Sequence, residues 1–540
     1  MKYRLKLLFL GMVAVSLFLF PESSPGLKQQ AAAVEAPDIF ESGPSREPAR
    51  AFTASLSEIP QREKETEEGL SFLPDNEEEL PELTSNTEQP ETLLPQHSFQ
   101  PDSRNSGELS DRVLSQNLTS QTLLSKFNGI AETGKGNLDP ILAVGPTRML
   151  IAVNDVFAIY TKTGQKRFQT TFKTWFSKLN VAGISHLFDP KVIYDQYSGR
   201  YFFICDALTS TRSWFLLSVS NTSDPEGKWT FWALDMQYNS ANKVKLWADY
   251  PRIGVDQDSV YLTAGMNTFG TPVFQYAKIR ILKKSEVFAS GDLNWYDFWN
   301  FNDATGNKAV NVEPVQNNGT TSAEYFVNIK KNSGSTLTLW TLKNATSSNP
   351  TLTKKAVHIS SYQPPPWPVQ KGGGTTMNPG YFCVVNAVLM NGSIYTAFST
   401  GYDWGSGKVA ALRYLQINTA GAVVQEITYG AATSNYIFPV VMPDNAGNVI
   451  VLFNRCGSTE FTGIAYTSRK VGAPPGTLQP STLLQAGLTN YNNPFAGSTL
   501  NHWGDFNGIA LNPDNSFWLY SEFVKGPDLR GTLIFHLAAF

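Results

Sequence analysis

From about residue 125 onward, apolar residues fall in short runs separated by clusters of Asp, Asn, Gly and Pro, and spacing of the helical kind is nearly absent. Such runs predict strands joined by tight turns. One phrase recurs about seven times: an acidic or polar residue, often followed by proline, then a run, a turn and a second apolar and aromatic run. The clear copies are DPILAVGPTRMLIAVND from Asp139, DPKVIYDQYSGRYFFICDA from Asp189 and DYPRIGVDQDSVYLTAGM from Asp249. Fainter ones start at Glu313, Asn386, Phe438 and Asp505. Starts 50 to 75 residues apart match a four-stranded blade with long outer loops, not a helical repeat. The pattern predicts an all-β fold, a β-propeller of seven four-stranded blades, with six or eight left open by the degenerate copies at Glu313 and Asn386. Each phrase opens the innermost strand, since AVLMN and PVVMP read as strands buried on both faces, and DQYSG, NNGT, DNAGN and NPDN read as hairpin turns. A ring must be closed, and LLSKFNGIAET, Leu123 to Thr133, is placed to pair with the final run GTLIFHLAAF.

The first fifth or so of the chain has another character. Lys2, Arg4 and Lys6 precede the apolar stretch Leu7 to Phe20, which is short for a spanning helix. Residues 1–33 therefore read as a signal peptide or an N-terminal membrane anchor, and the protein is expected outside the cytoplasm: extracellular, periplasmic or on the cell surface. Residues 34–115 are rich in Pro, Glu and Ser and read as a disordered acidic linker or stalk, leaving 116–540 as the propeller domain. Residues 34–113 carry a net charge of −13, so the part after them is mildly basic at +7. That lean toward anionic partners comes without the basic, aromatic-interleaved runs that mark nucleic-acid binding, so no nucleic acid is expected. Cys205, Cys383 and Cys456 lie in or at the end of apolar runs, and an odd, sparse set reads as buried thiols.

The blocks DPILAVGP, VNDVFAIYTKTGQ, DPKVIYDQYSGRYFF, SNTSDPEGKWTFW, ADYPRIGVDQDSVYLT and HWGDFNGIALNP resemble the exported, sialidase-like β-propeller proteins of bacteria, over about residues 125 to 540. The resemblance implies the fold and leaves the activity open. Sialidases carry Asp-boxes, an arginine triad and a Tyr/Glu nucleophile pair; the nearest approach to an Asp-box here is Ser223 to Trp229, with Asp and Gly one residue too far apart.

In a propeller, function belongs to the ends of the central channel. The repeat register should bring Asp139, Asp189, Asp249, Glu313 and Asp505 near one mouth, where carboxylates repel unless a cation, lysines or hydrogen bonds offset them. Asp139, Asp189, Asp249 and Asp505 are the candidate catalytic carboxylates of a glycosidase-like enzyme. Hard oxygen ligands suit Ca²⁺, the cofactor considered, or Mg²⁺. His186 and His502 each stand three residues before a repeat aspartate, so His186, Asp189, Asp249 and Asp505 are metal candidates. Trp247, Tyr250, Arg252, His502 and Trp503 are the candidate ligand-binding residues, on the argument that indole faces stack on sugars or clamp peptides. The plainer alternative is that each Asp caps its strand and each ring fills space between blades. Together these features favour a surface-displayed, non-catalytic binding module for a glycan or an extracellular protein; the alternative is a glycoside hydrolase or lyase working with the mouth carboxylates.

Overall fold

The chain turns through seven successive antiparallel sheets, each begun at its innermost strand and built outward by hairpins. The computed structural model describes residues 40–45, 47–62, 99–101, 120–134, 137–380, 382–494, 500–501 and 503–540. Blades 1 to 7 begin at Ile141–Val144, His186–Asp195, Leu246–Val255, Glu313–Pro314, Ala387–Met390, Ser434–Pro443 and Gly508–Leu511. Four hydrogen-bonded strands form the body of every blade, so the seven-bladed propeller expected from the repeat is the architecture observed. Asn- and Gly-containing turns bend each hairpin because these residues accept a left-handed backbone; Asn391 (φ 50°) with Gly392 (φ 75°) is one such pair. Between blades the packing is aromatic and aliphatic: Trp175 stands edge-on to Phe157 at 4.4 Å and to Trp229 at 5.1 Å. The three cysteines are buried and unpaired, as expected.

The ring is closed within blade 7. Leu123–Asn128 pairs with the outer strand Leu529–Leu537, matching Leu533 with Asn128 and His536 with Ser125. Just beyond the seam, Glu132 takes a forked ion pair from Arg530, at 2.9 and 3.2 Å. The segment assigned to closure from sequence is the one that closes the ring.

The stretch 34–115 departs from the linker expectation where it is described. Glu41–Pro44 adds a fifth strand to blade 3 and Phe52–Ser55 a fifth strand to blade 2, and Phe99–Pro101 pairs in parallel with the outer strand of blade 5. Ala54, Leu56 and Ile59 are buried between blades 1 and 2, and the Phe40 ring meets Phe301 and Trp340 edge-on at 6.2 and 6.0 Å. Such strands need no core of their own. They take up the unpaired hydrogen-bonding edge that every outer strand presents, and a few apolar anchors suffice to seat them. The average composition of a Pro- and Glu-rich stretch hides them. Residues 63–98 and 102–119, like residues 1–33, lie outside the described residues.

Two expectations follow for stability. Deleting Leu123–Asn128 should destabilise the whole ring and promote aggregation, read by thermal unfolding and size-exclusion chromatography, whereas a local effect would leave the melting temperature unchanged. Deleting residues 40–62 should cost about 3–5 kcal/mol through the lost burial of Leu56 and Ile59 and leave the ring closed, measured by denaturant unfolding.

Candidate functional site at the channel mouth

Four inner strands begin alike. In blades 1, 2, 3 and 6 the residue before a proline has a positive φ: Asp139 (54°), Asp189 (51°), Tyr250 (59°) and Phe438 (54°). A residue before proline is ordinarily pushed toward extended backbone, so the surrounding structure must hold these four. Each dipeptide forms a bulge in which two residues face one on the next strand. Asp189–Pro190 faces Cys205, Tyr250–Pro251 faces Ala264 and Phe438–Pro439 faces Phe453; in blade 1 the Asn154 N–H to Leu138 carbonyl bond leaves Asp139–Pro140 opposite Val153. This register corrects the sequence alignment at blade 3. The counterpart of Asp139 and Asp189 there is Tyr250, and Asp249 lies one residue earlier, at the level of Phe188.

The residue after each proline faces the channel, giving the equivalent set Ile141, Lys191, Arg252 and Val440, all of which line one cavity of about 170 Å³. Its wall includes inner-strand or adjoining residues of every blade, among them Glu313, Asn386, Phe506 and Asn507. Two adjacent blades thus place cations where blades 1 and 6 place aliphatic side chains. The Arg252 Nε lies 2.7 Å from a Glu313 carboxylate oxygen, and its guanidinium covers the Tyr250 ring at 4.3 Å. The Lys191 ammonium sits 2.9 Å from the centre of the Phe506 ring. Burial lowers the Lys191 pKa to about 8, with Glu313, Asp139 and Asp189 opposing the shift and Arg252 adding to it. Burial raises the Glu313 pKa against the pull of Arg252 and Lys191, and lifts that of Cys383, beside Arg252, to about 11. Cys383 is therefore a protonated, unreactive thiol at neutral pH.

The carboxylates singled out from sequence separate into two groups. Asp139 is fully buried, with one oxygen accepting the Asp505 N–H at 2.7 Å and the other the Asn154 amide at 2.9 Å. Asn137 donates to Asp505 at 3.1 Å. Asp139 and Asp505 thereby stitch blade 7 to blade 1, which is the strand-capping role. Asp189 and Asp249 instead meet Asp206, their oxygens all within 4.8 Å of one another. Asp505 is not a member of that group, and neither is His186, whose Nδ1 lies 2.9 Å from the Ser185 hydroxyl. His502 lies outside the described residues. Among the ligand-binding candidates, Trp503 is completely buried, edge-on to Tyr491 and clustered with Met377, Ala410, Ile437 and Cys456 from distant parts of the chain, and cannot stack on a ligand. Trp247 is partly exposed, and its indole N–H is held by the Thr268 carbonyl at 2.9 Å. Arg252 does reach the mouth, as a buried residue of its wall, whereas Tyr250 is buried behind it against Phe506 and Cys383 and does not line the cavity.

Lys191 and Asp206 were missed. The signal for Lys191 was present: DPK differs from DPI only in the residue after proline, the channel position, which is likewise Arg in YPR and Val in FPV. Asp206, at the end of FFICDAL, is a charge within an apolar strand, a placement that asks for a partner.

No family profile matches the chain, and no curated protein does. Solved structures of similar shape include the phage phi92 endosialidase (7% identity, TM-score 0.39, covering 77% of this chain and 69% of that one). An ulvan lyase of polysaccharide lyase family PL25 (10%, 0.37, 76% and 95%) and a Trypanosoma rangeli sialidase mutant displaying trans-sialidase activity (8%, 0.33, 77% and 60%) are also similar. These likenesses are of architecture. They say nothing of what this chain binds or does.

The Lys191 amine gives stability a defined pH dependence. Its folded pKa, about 8, lies below the ordinary 10.5, so between these values the unfolded chain holds more protons and stability rises with pH; below about 8 the whole penalty is present. Lys191→Met removes that contribution, which amounts to about 3 kcal/mol. The variant should gain most over the wild type near pH 7, and the gain should vanish toward pH 10.5, measured by parallel denaturant titrations.

Proposed function

We propose that this protein is an exported propeller that binds the carboxylate-bearing end group of a glycan in its channel mouth, without turning it over. The observation that carries this reading is the pair Lys191 and Arg252, two cations at equivalent positions of adjacent blades, on the wall of a cavity reached by all seven. One carboxylate, Glu313, is ion-paired to Arg252, and the Lys191 ammonium has an aromatic face as its nearest partner. Amide side chains complete the wall, and the Asn507 Oδ1 is buried without a hydrogen-bond partner among the described residues, a group able to accept from a sugar hydroxyl. The cavity is smaller than the roughly 300–1,000 Å³ of clefts for drug-sized ligands, which suits one terminal ring and not an extended chain. Against turnover by the mouth carboxylates stand the saturated hydrogen bonding of Asp139 and the ion pairing of Glu313. Export is supported by the basic and apolar leader pattern of residues 1–20.

The test is equilibrium binding of the purified protein to uronate- or sialate-terminated oligosaccharides and to their neutral counterparts. Acidic ends should bind, with affinity falling as salt rises, and Lys191→Met should weaken binding about 10- to 100-fold, the worth of a charge-assisted hydrogen bond. Equal binding of neutral and acidic sugars, or an unaffected Lys191→Met variant, defeats the proposal.

One observation favours a catalytic second reading. A buried lysine with a pKa near 8 beside an arginine is suited to take the proton next to a carboxylate, as in an eliminating lyase. That version requires an unsaturated product, absorbing in the ultraviolet, from uronate polymers at alkaline pH.

A further inference from the structure

Blades 1 and 6 are each clasped to their neighbour by an asparagine on the second strand, directly after the bulge. The Asn154 Oδ1 accepts the Asp189 N–H of blade 2 at 2.8 Å while its Nδ2 donates to Asp139 at 2.9 Å. The Asn454 Nδ2 donates to the Glu522 carbonyl of blade 7 at 2.8 Å, and its Oδ1 accepts from Asn507 at 3.1 Å. By register the same position is Asp206 in blade 2 and Gly265 in blade 3, since Asn154 faces Leu138, Asp206 faces Phe188, Gly265 faces Asp249 and Asn454 faces Ile437.

Asp206 makes no such clasp. Its side chain is fully buried, and the one backbone donor near its carboxylate, the Tyr250 N–H, is hydrogen-bonded at 2.9 Å to Asp249 instead, which leaves neither Asp206 oxygen with a well-formed hydrogen bond among the described residues. What it faces are Asp189, at the left-handed bulge of its own blade, and Asp249, at the start of blade 3, with the three carboxylates drawn within 4.8 Å. Burial raises the Asp206 pKa well above the usual carboxylate range, and the charges acting most strongly on it, Asp189 and Asp249, are both of its own sign. A fold that elsewhere puts a neutral amide at this position does not need a carboxylate here, and three carboxylates gathered in a buried seam repel unless something positive lies between them.

We propose that Asp189, Asp206 and Asp249 hold one divalent cation of the calcium type, which clasps blade 2 to blade 3 where blades 1 and 6 use asparagine. Ca²⁺ binds oxygens at about 2.3–2.6 Å, so ligands across the ion stand up to about 5 Å apart, the spacing found. Asp249 is only half-buried, which leaves a way in for the ion, and bonds from the Tyr250 N–H at 2.9 Å and the Asn267 amide at 3.4 Å orient its carboxylate. The two bulges supply the geometry, because without the extra residue in each strand the side chains of Asp189 and Asp249 would follow the pleat of their strands away from this seam.

The test uses the full chain stripped with a chelator and titrated with CaCl₂ alone, or MgCl₂ alone, by calorimetry and thermal unfolding. One Ca²⁺ per chain should bind, the melting temperature should rise by several degrees, and Asp206→Asn and Asp249→Asn should each weaken binding at least about tenfold. Asp206→Asn should also melt in chelator no lower than the stripped wild type, since it restores the amide that blades 1 and 6 use. If Asp206→Asn fails to fold, Asp249→Asn, at a half-buried position, carries the test. No heat of binding and no thermal shift with Ca²⁺, or unchanged affinity in both variants, overturns the site. So does a stripped protein indifferent to Ca²⁺ whose stability falls as pH rises, because the carboxylates are then held together by a shared proton.

Discussion

Closure of the ring is the constraint on which everything else rests. A propeller blade buries its faces against its two neighbours, so a missing contact between first and last blades exposes two apolar faces together with a sheet edge. Here the last blade is completed by a strand from before the first, so that chain segments about 400 residues apart, Leu123–Asn128 and Leu529–Leu537, pair within blade 7, reinforced by the fork between Glu132 and Arg530. Hydrogen bonding between these distant strands makes the repeat cooperative, because no blade can leave without opening two seams.

Closure also decides what the channel can hold. With seven blades fixed around one axis, residues at the same step of each inner strand form a ring, and the chemistry at that step is whatever the blades contribute. Ile141, Lys191, Arg252 and Val440 show the principle: half of this set is aliphatic and half cationic. The cations lie on neighbouring blades, so they face one sector of the channel. Beside that ring runs a second set, Asn154, Asp206, Gly265 and Asn454, of which the two asparagines join blade to blade. The same bulge positions both sets, and a single local device thereby couples the channel wall to the integrity of the seams.

The cavity wall and the inter-blade seam are consequently placed side by side without sharing side chains. The Lys191 side chain faces the cavity, whereas Asp189, two residues earlier, faces the seam with Asp206 and Asp249. Burying an amine costs free energy and lowers its pKa, and the protein keeps it there although an aliphatic side chain satisfies the equivalent position in blades 1 and 6. A fold that tolerates such a cost at one position in a ring of equivalents retains it for recognition more readily than for packing.

The repeat in the sequence was enough to determine the fold class and the closing strand, and it put the blade count at seven while leaving six and eight open. Strand periodicity and turn chemistry are local, and a phrase repeated every 50 to 75 residues states the architecture directly. Of the residues the sequence singled out for a ligand, Arg252 lies in the cavity wall. What sequence could not decide was which of these side chains remain available. Asp139 is consumed by partners 366 and 15 residues further along the chain, and Trp503 is buried in a cluster with Met377, Ala410, Ile437 and Cys456, all distant in sequence. The one-residue shift that makes Tyr250, not Asp249, the counterpart of Asp189 arises from bulge geometry, to which an alignment of Asp on Asp is blind. Asp206 entered the carboxylate group only through tertiary structure, because pairing register, and not sequence distance, sets which strands bring their side chains to the same seam.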